Sequence, residues 1–302
     1  MDYSIIGKKI KELRKGVGLT QGDLADGICT QALVSRIEKG DIYPSATALY
    51  QISEKLGVDV NYFFEIGTTP RLDYVKEVEH QLRHFRVRLM YDEMIGMVRV
   101  EEKNPLFFRD ESNLQLLYWH KSIYIFEIEK DKEAGVALLE EALLLTLNNK
   151  RALSEREIEI HMTLGAFEFG RGNLELSLNL YEKVQSSIQS SAQLHDKSIK
   201  TRLLYNFART LTRVGKYEES NRYCNQAIKW CLEEEHLFGL GELYYHAGYN
   251  YELQGELEKA LSYIDKSVLI FDMYEDNRYR QYLQKKRVDI SSKLGSDFNS
   301  HN

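Results

Sequence analysis

Three stretches of this chain repeat one another at intervals of roughly 40 to 43 residues, and a period of that size restricts the fold more than any single motif does. They read HMTLGAFEFGRGNLELSLNLYEKV around Gly172, LLYNFARTLTRVGKYEESNRYCNQAI around Gly215 and YYHAGYNYELQGELEKALSYIDKSV around Gly255. Each has a small residue in its first half (Gly165, Ala208, Gly248), a glycine at the break, and an apolar or aromatic residue two places on (Leu174, Tyr217, Leu257). A second small residue follows (Ser177, Ser220, Ala260). Apolar residues recur at helical spacing on both sides of each glycine, so each stretch predicts two antiparallel helices that pack closest where the small residues meet. A weaker copy carries Trp119, Ile123 and Phe126, turns near Lys130 and continues with Leu139 and Ala142; a degenerate one turns near Leu89.

Such hairpins cannot bury their faces alone and must stack on one another. The pattern resembles the tetratricopeptide repeat, with helices longer than the usual repeat of about 34 residues allows. That resemblance implies a right-handed superhelix whose concave side is lined by the first helix of each pair. Tyr279 to Leu294 is expected to be the terminal capping helix. Beyond Pro70 the only proline is Pro105, and no alternating polar and apolar run is long enough for a strand, so this part of the chain is expected to be all helix.

The N-terminal region has a different organisation, centred on Thr20 to Gly40, TQGDLADGICTQALVSRIEKG. Thr20 is an N-cap that Asp23 can reach back to, so a short helix starts at Gln21 with Leu24, Ala25 and Ile28 on its apolar face. Thr30 caps a second helix that buries Leu33, Val34 and Ile37, and Gly40 stops it. The break between them allows only a tight turn, which makes the pair a helix-turn-helix. Before it, Ile5, Ile6, Ile10 and Leu13 mark a first helix; after it, Ser45 caps a helix with Leu49, Ile52 and Leu56 that ends at Gly57, and Asp59 to Glu65 closes the core with Tyr62, Phe63 and Phe64.

The outward positions of the second hairpin helix are Gln31, Ala32, Ser35 and Arg36, with Thr30 at its start. Gln can bond adenine N6 and N7, Arg can fork onto guanine O6 and N7, Ser serves either, and Ala can touch a thymine methyl. Gln21, at a helix N-terminus, is placed to meet phosphate, and Lys9 to meet the backbone. These seven are the candidate DNA-binding residues. The stretch resembles the Cro/C1-type helix-turn-helix family, with pattern TQ..LA....vSriE.G...Ps...l...L.v, and continues the match through Pro44, Ser45, Leu49, Leu56 and Val58. The resemblance implies an ion pair between Arg14 and Glu38. The turn here is one residue shorter than usual and carries Cys29 where glycine is common.

A DNA-binding chain with a net charge of −6 is unusual. The first 66 residues do not offset it, with eight Lys and Arg against nine Asp and Glu. Five of those cations (Lys8, Lys9, Lys11, Arg14, Lys15) fall on the first helix, which in this fold crosses near the DNA backbone. One copy alone should bind weakly, which argues for a homodimer on a palindromic operator. No apolar run approaches a membrane span, and the start MDYSIIGKKI has neither an apolar core nor a cleavage site, so a cytoplasmic protein is expected. Cys29, Cys224 and Cys231 form no C-x-x-C pair and read as core thiols, with a redox sensor as the alternative. His80 and His84 share a helix face without a third ligand, so no metal or cofactor is expected. No nucleophile elbow, P-loop, HExxH or dinucleotide fingerprint is present, which leaves an enzyme unsupported.

The first helices of the repeats carry the candidate ligand contacts. Around Gly215 these are Arg202, Tyr205, Asn206, Arg209 and Arg213; around Gly255, Tyr245, His246, Tyr249 and Asn250; around Lys130, His120, Lys121 and Tyr124. Tyr279 joins them from the capping helix. Asn can bond both polar groups of an extended peptide backbone, Arg can take its carboxylates, and Tyr supplies amphipathic walls. The alternative is a solvated face on which the arginines balance Glu218 and Glu219.

A Cro/C1-type module, a linker helix and about five such repeats together resemble the PlcR-like regulators of the Rap, Rgg, NprR, PlcR and PrgX (RRNPP) family of Gram-positive bacteria. The residues carrying this likeness are ICTQALVSRIEKG, Tyr43 to Ser45, Tyr205 with Asn206, and Tyr217 to Ser220. It implies a homodimeric, quorum-sensing transcription factor, an activator rather than a repressor, that binds a short signalling peptide in the repeat groove. Asn206 matches a peptide-holding Asn of that group, whereas Ala166 stands where another Asn is expected. The competing function is a DNA-binding regulator whose repeats dock a protein and no free peptide. The expected organisation is all-α: residues 1–66 a five-helix helix-turn-helix domain, 67–87 a linker helix beginning at the GTTP run of Gly67 to Pro70, and 88–302 the repeat domain.

Overall fold

The computed structural model describes residues 3–68, 71–147, 152–190, 194–273 and 279–300. They form seventeen α-helices and no strand. The chain divides into two compact units, residues 1–120 and 121–302. The finer partition at 66 and 87 is a proposal about folding units, and Thr69 and Pro70, half of its boundary, lie outside the described residues.

In the first unit, α1 (Tyr3–Gly16), α2 (Gln21–Ala25), α3 (Gln31–Lys39), α4 (Ala46–Leu56) and α5 (Val60–Thr68) enclose one core around Ile6, Ile10, Leu24, Val34, Ile37, Leu49, Ile52 and Phe63. Local chemistry sets most of the ends. Thr20 and Asp23 form a full capping box, and the Thr30 and Ser45 hydroxyls accept from the N–H groups of Leu33 and Ala48. Gly40 (φ 82°) and Gly57 (φ 69°) close α3 and α4 in the left-handed region. Two extents differ from expectation. α2 stops at Ala25 because the extended Asp26 and left-handed Gly27 (φ 76°) break it, so Ile28 packs from the turn. α5 runs on to Thr68.

Gly7 is the close contact of this domain: a Cβ there would lie 2.0 Å from the Ile37 carbonyl oxygen, so α1 crosses directly over the backbone of α3. α6 (Leu72–Val87) and α7 (Tyr91–Glu101) then form the hairpin read as the degenerate copy, turning through Leu89 at φ 58°. α6 buries Leu72, Val75, Val78 and Leu82. α8 (Pro105–Phe108) and the start of α9 (Glu111–Tyr124) complete the unit.

The second unit is a stack of hairpins. α9 ends in a π-helical segment, Ile125–Glu129, before Lys130 (φ 61°) turns the chain into α10 (Lys132–Leu145). The three clear copies are α11 (Glu155–Arg171) with α12 (Leu174–Ser190), α13 (Ser198–Arg213) with α14 (Tyr217–Glu233), and α15 (Leu240–Leu253) with α16 (Leu257–Asp272). Their turns pass through Gly172, Gly215 and Gly255, all at positive φ, where a side chain would be strained. The stack ends in α17 (Arg280–Ser300), longer than the capping helix expected.

The small residues meet as the repeat pattern requires, and the serines also bond. Ser177 Oγ donates to the Gly165 carbonyl (2.8 Å) and Ser220 Oγ to that of Ala208 (2.8 Å), which satisfies two buried hydroxyls while the helices touch. A Cβ on Gly165 would stand 2.4 Å from Tyr181 Cε1. Cys224 and Cys231 are both fully buried on α14, and burial pushes the Cys224 thiol up to about 12, which makes it a poor nucleophile.

Candidate functional site

The helix-turn-helix is locked from inside by one carboxylate. Glu38, 4% exposed, accepts from Arg14 Nε and from Arg14 Nη2 (3.1 Å), as the Cro/C1 likeness implies. Arg14 also donates to the Leu19 carbonyl (2.6 Å), and Gln21 Nε2 donates to Glu38 Oε2 (2.8 Å). Burial acts to raise the Glu38 carboxyl, but the Arg14 and Gln21 bonds outweigh it and hold the group below its ordinary value. Residues of α1, α2 and α3 are thereby held by one buried polar network, which leaves the outer face of α3 rigid.

That outer face presents Thr30, Gln31, Ala32 and Arg36 exposed and Ser35 half-buried. The Arg36 guanidinium has no acidic partner among the described residues. Gln21 is more occupied than the sequence suggested: besides Glu38, its Oε1 accepts from Gln31 Nε2 (3.2 Å), so the two glutamines steer each other. Lys9 lies on α1, paired with Glu12 at 2.9 Å.

On the repeats, the α13 stripe divides into two kinds of residue. Arg202 pairs with Glu159 of α11 and with Asp196 (3.3 Å), so it holds helices together and is not an open cation. Arg209 and Arg213 are exposed and both lie against the ring of Phe169 of α11, each guanidinium carbon 5.0 Å from the ring centroid; Arg209 also lies 5.7 Å from the Tyr205 ring. Neither has a carboxylate partner among the described residues. Asn206 is half-buried beside them, with no side-chain hydrogen bond among the described residues.

The α15 residues divide likewise. His246 (8% exposed) and Asn250 (0%) are turned into the packing between hairpins: Thr212 Oγ1 lies 2.9 Å from His246 Nε2 and 2.7 Å from Asn250 Oδ1. Burial lowers His246 to about 4, with Arg209 adding to the effect, so the ring is neutral. Tyr245 and Tyr249 stay half-buried and roughly parallel, 6.3 Å apart, and Tyr245 Oη lies 2.7 Å from Tyr282 Oη of α17. Tyr279, 46% exposed, stands with Tyr205 and Tyr245 around a cavity of about 430 Å³. His120 is buried, and its Nδ1 lies 2.8 Å from the Leu116 carbonyl oxygen one turn back on α9, so it does not reach an open groove.

Sequence reasoning missed Phe169, Glu242, Phe271 and Tyr282. Phe169 sits three residues before a repeat glycine and was legible as a first-helix residue; the other three lie on helices whose facing is set only by packing. Among the described residues no cluster of three or more His, Cys, Asp or Glu could hold a metal, and no helix is long and apolar enough to cross a membrane.

Comparison with known proteins bears on both parts. The profile of the RNPP family C-terminal domain matches residues 80–290, and a helix-turn-helix profile matches residues 10–63. The structure of Bacillus thuringiensis PlcR in complex with the peptide PapR7 and DNA is similar at a TM-score of 0.86 and 25% identity, over 93% of this chain and 99% of that one. The apo form of that protein gives 0.65 at 24%, over 93% and 98%. ComR from S. thermophilus, in complex with DNA and its signalling peptide ComS, gives 0.63 at 16%, over 95% and 99%, a likeness of fold. No curated protein sequence matches the chain.

Proposed function

Since the chain belongs to the RNPP family, we propose that it is a homodimeric transcription activator that reads a palindromic operator through α3 and is controlled by a short signalling peptide bound on its repeats. The observation that carries the peptide reading is the group on α13: two exposed guanidiniums, Arg209 and Arg213, flanking Phe169 beside the unengaged amide of Asn206. Guanidiniums fixed on an aromatic ring are pre-ordered to take a carboxylate, and a free amide next to them can bond both polar groups of an extended backbone. A solvated face would pair these arginines with nearby acids, whereas only Arg202 of this stripe, half-buried between helices, is so paired. The likeness to a PlcR bound to peptide and DNA supports the same reading.

Replacing Asn206 with Ala tests it. The side chain makes no described bond, so melting temperature and basal DNA binding should be unchanged. A backbone-bonding amide lost from a peptide site costs about 1–3 kcal/mol, so promoter activation should need roughly tenfold or more additional peptide. Early unfolding of the variant would make Asn206 structural. An unfractionated culture extract that alters neither variant nor wild type would end the peptide reading.

A further inference from the structure

The cavity between α13, α15, α16 and α17 has an unusual wall. It is lined by five aromatic residues, Tyr205, Tyr245, Phe271, Tyr279 and Tyr282, with Leu283 and a single carboxylate, Glu242. The rings are braced against one another: Tyr245 meets Tyr282 edge-on at 5.8 Å, and Phe271 meets Tyr279 at 5.4 Å. Glu242 has no cationic partner among the described residues, and burial raises its carboxyl, opposed only by a backbone N–H. Two cations of α17 close in sequence to the lining tyrosines are paired with other acids, Lys286 with Glu252 (2.6 Å) and Arg280 with Asp272 (2.8 Å).

A half-buried carboxylate with no cationic partner is costly to cover, so an apolar occupant would leave the charge stranded and an anionic one would be repelled. An ammonium or guanidinium is attracted by both parts of the wall: the negative faces of the rings and the charge of Glu242. We propose that the Glu242 cavity is a cation subsite that takes a Lys or Arg side chain, or the free amino terminus, of the bound peptide. This rests on the peptide-binding reading and adds a polarity to it. Tyr205 lines the cavity and also touches Arg209, so the acidic groups of the ligand belong towards α11 and its cationic group towards α17.

The test passes a random heptapeptide library, in free-amine and N-acetylated forms, over the full-length protein and over its Glu242→Gln and Glu242→Lys variants, and sequences what is retained. The wild type should enrich peptides with Lys, Arg or a free amine about tenfold, the size of effect one such contact gives. The isosteric Gln variant should lose that enrichment at an unchanged melting temperature, and the Lys variant should favour Asp and Glu. Retained peptides with no cationic preference, or a preference kept intact by the Gln variant, would overturn the cation subsite and leave peptide binding standing. If none of the three proteins retains any peptide, the peptide reading falls and the subsite with it. Should the Lys variant not fold, the Gln variant decides.

Discussion

Asn250 Nδ2 donates to Asn221 Oδ1 across 2.9 Å, joining α15 to α14 of the preceding hairpin. Its second N–H goes to Ser220 Oγ at 2.8 Å, and its Oδ1 faces the Thr212 hydroxyl at 2.7 Å, so the fully buried amide is satisfied on both sides. Truncation to Ala would orphan several groups shielded from water, each at about 1–3 kcal/mol. The Asn250→Ala variant should therefore unfold at a lower urea concentration with an unchanged slope. A loss below about 0.5 kcal/mol, the range of an ordinary surface change, would mean that the network is not structural.

His246 contributes a pH dependence to the same layer. Its folded pKa is lowered from 6.5 to about 4 by burial, against which the Ala208 backbone favours the charged ring and Arg209 disfavours it. Between those values the unfolded chain binds a proton that the folded chain does not, so the contribution is complete above about 6.5 and is lost as pH falls towards about 4. At one proton per unit this amounts to about 3 kcal/mol at most. A His246→Gln variant should show a flatter fall in melting temperature over that window. Identical pH profiles for the two proteins would exclude the histidine as the cause.

Arg36 and Lys9 should separate base reading from backbone contact. Arg36→Ala should cost about 1–3 kcal/mol on the preferred operator and relax one base position. Lys9→Ala should weaken all sequences alike and lower the salt slope of binding. An unchanged motif in binding-site selection with the Arg36 variant would show that this arginine does not read a base.

The proposed dimer is motivated by the near-neutral N-terminal region, which gives one copy little attraction for phosphate. Half-sites should lie about 34–36 Å apart centre to centre, or a multiple of that. Light scattering on the protein at micromolar concentration should give a dimer, bound as two copies per operator. A monomer bound one to one would contradict it.

The sequence by itself determined the helix caps and glycine stops, which depend on residues a few places apart. Thr20 with Asp23, Thr30 with Leu33, and Ser45 with Ala48 are contacts three residues apart, and glycine is the residue that tolerates the left-handed stops at Gly40, Gly57, Gly172, Gly215 and Gly255. The repeat spacing fixed the hairpins because small residues must meet where helices touch. The tertiary structure decided which polar residues remain free. Arg202 and Arg209 are seven apart on the same helix, yet Glu159, distant in sequence, claims only the first. Asn206 and Asn250 are both amides on first helices, but the rotation of α15 against α14 buries the second. Glu242 became a candidate ligand contact only when α17 folded back to bring Tyr279 and Tyr282 beside it. Amphipathic periodicity tells which face of a helix is buried; it carries no information about which neighbour covers a face that is polar on both sides, and that choice is made by packing between distant segments.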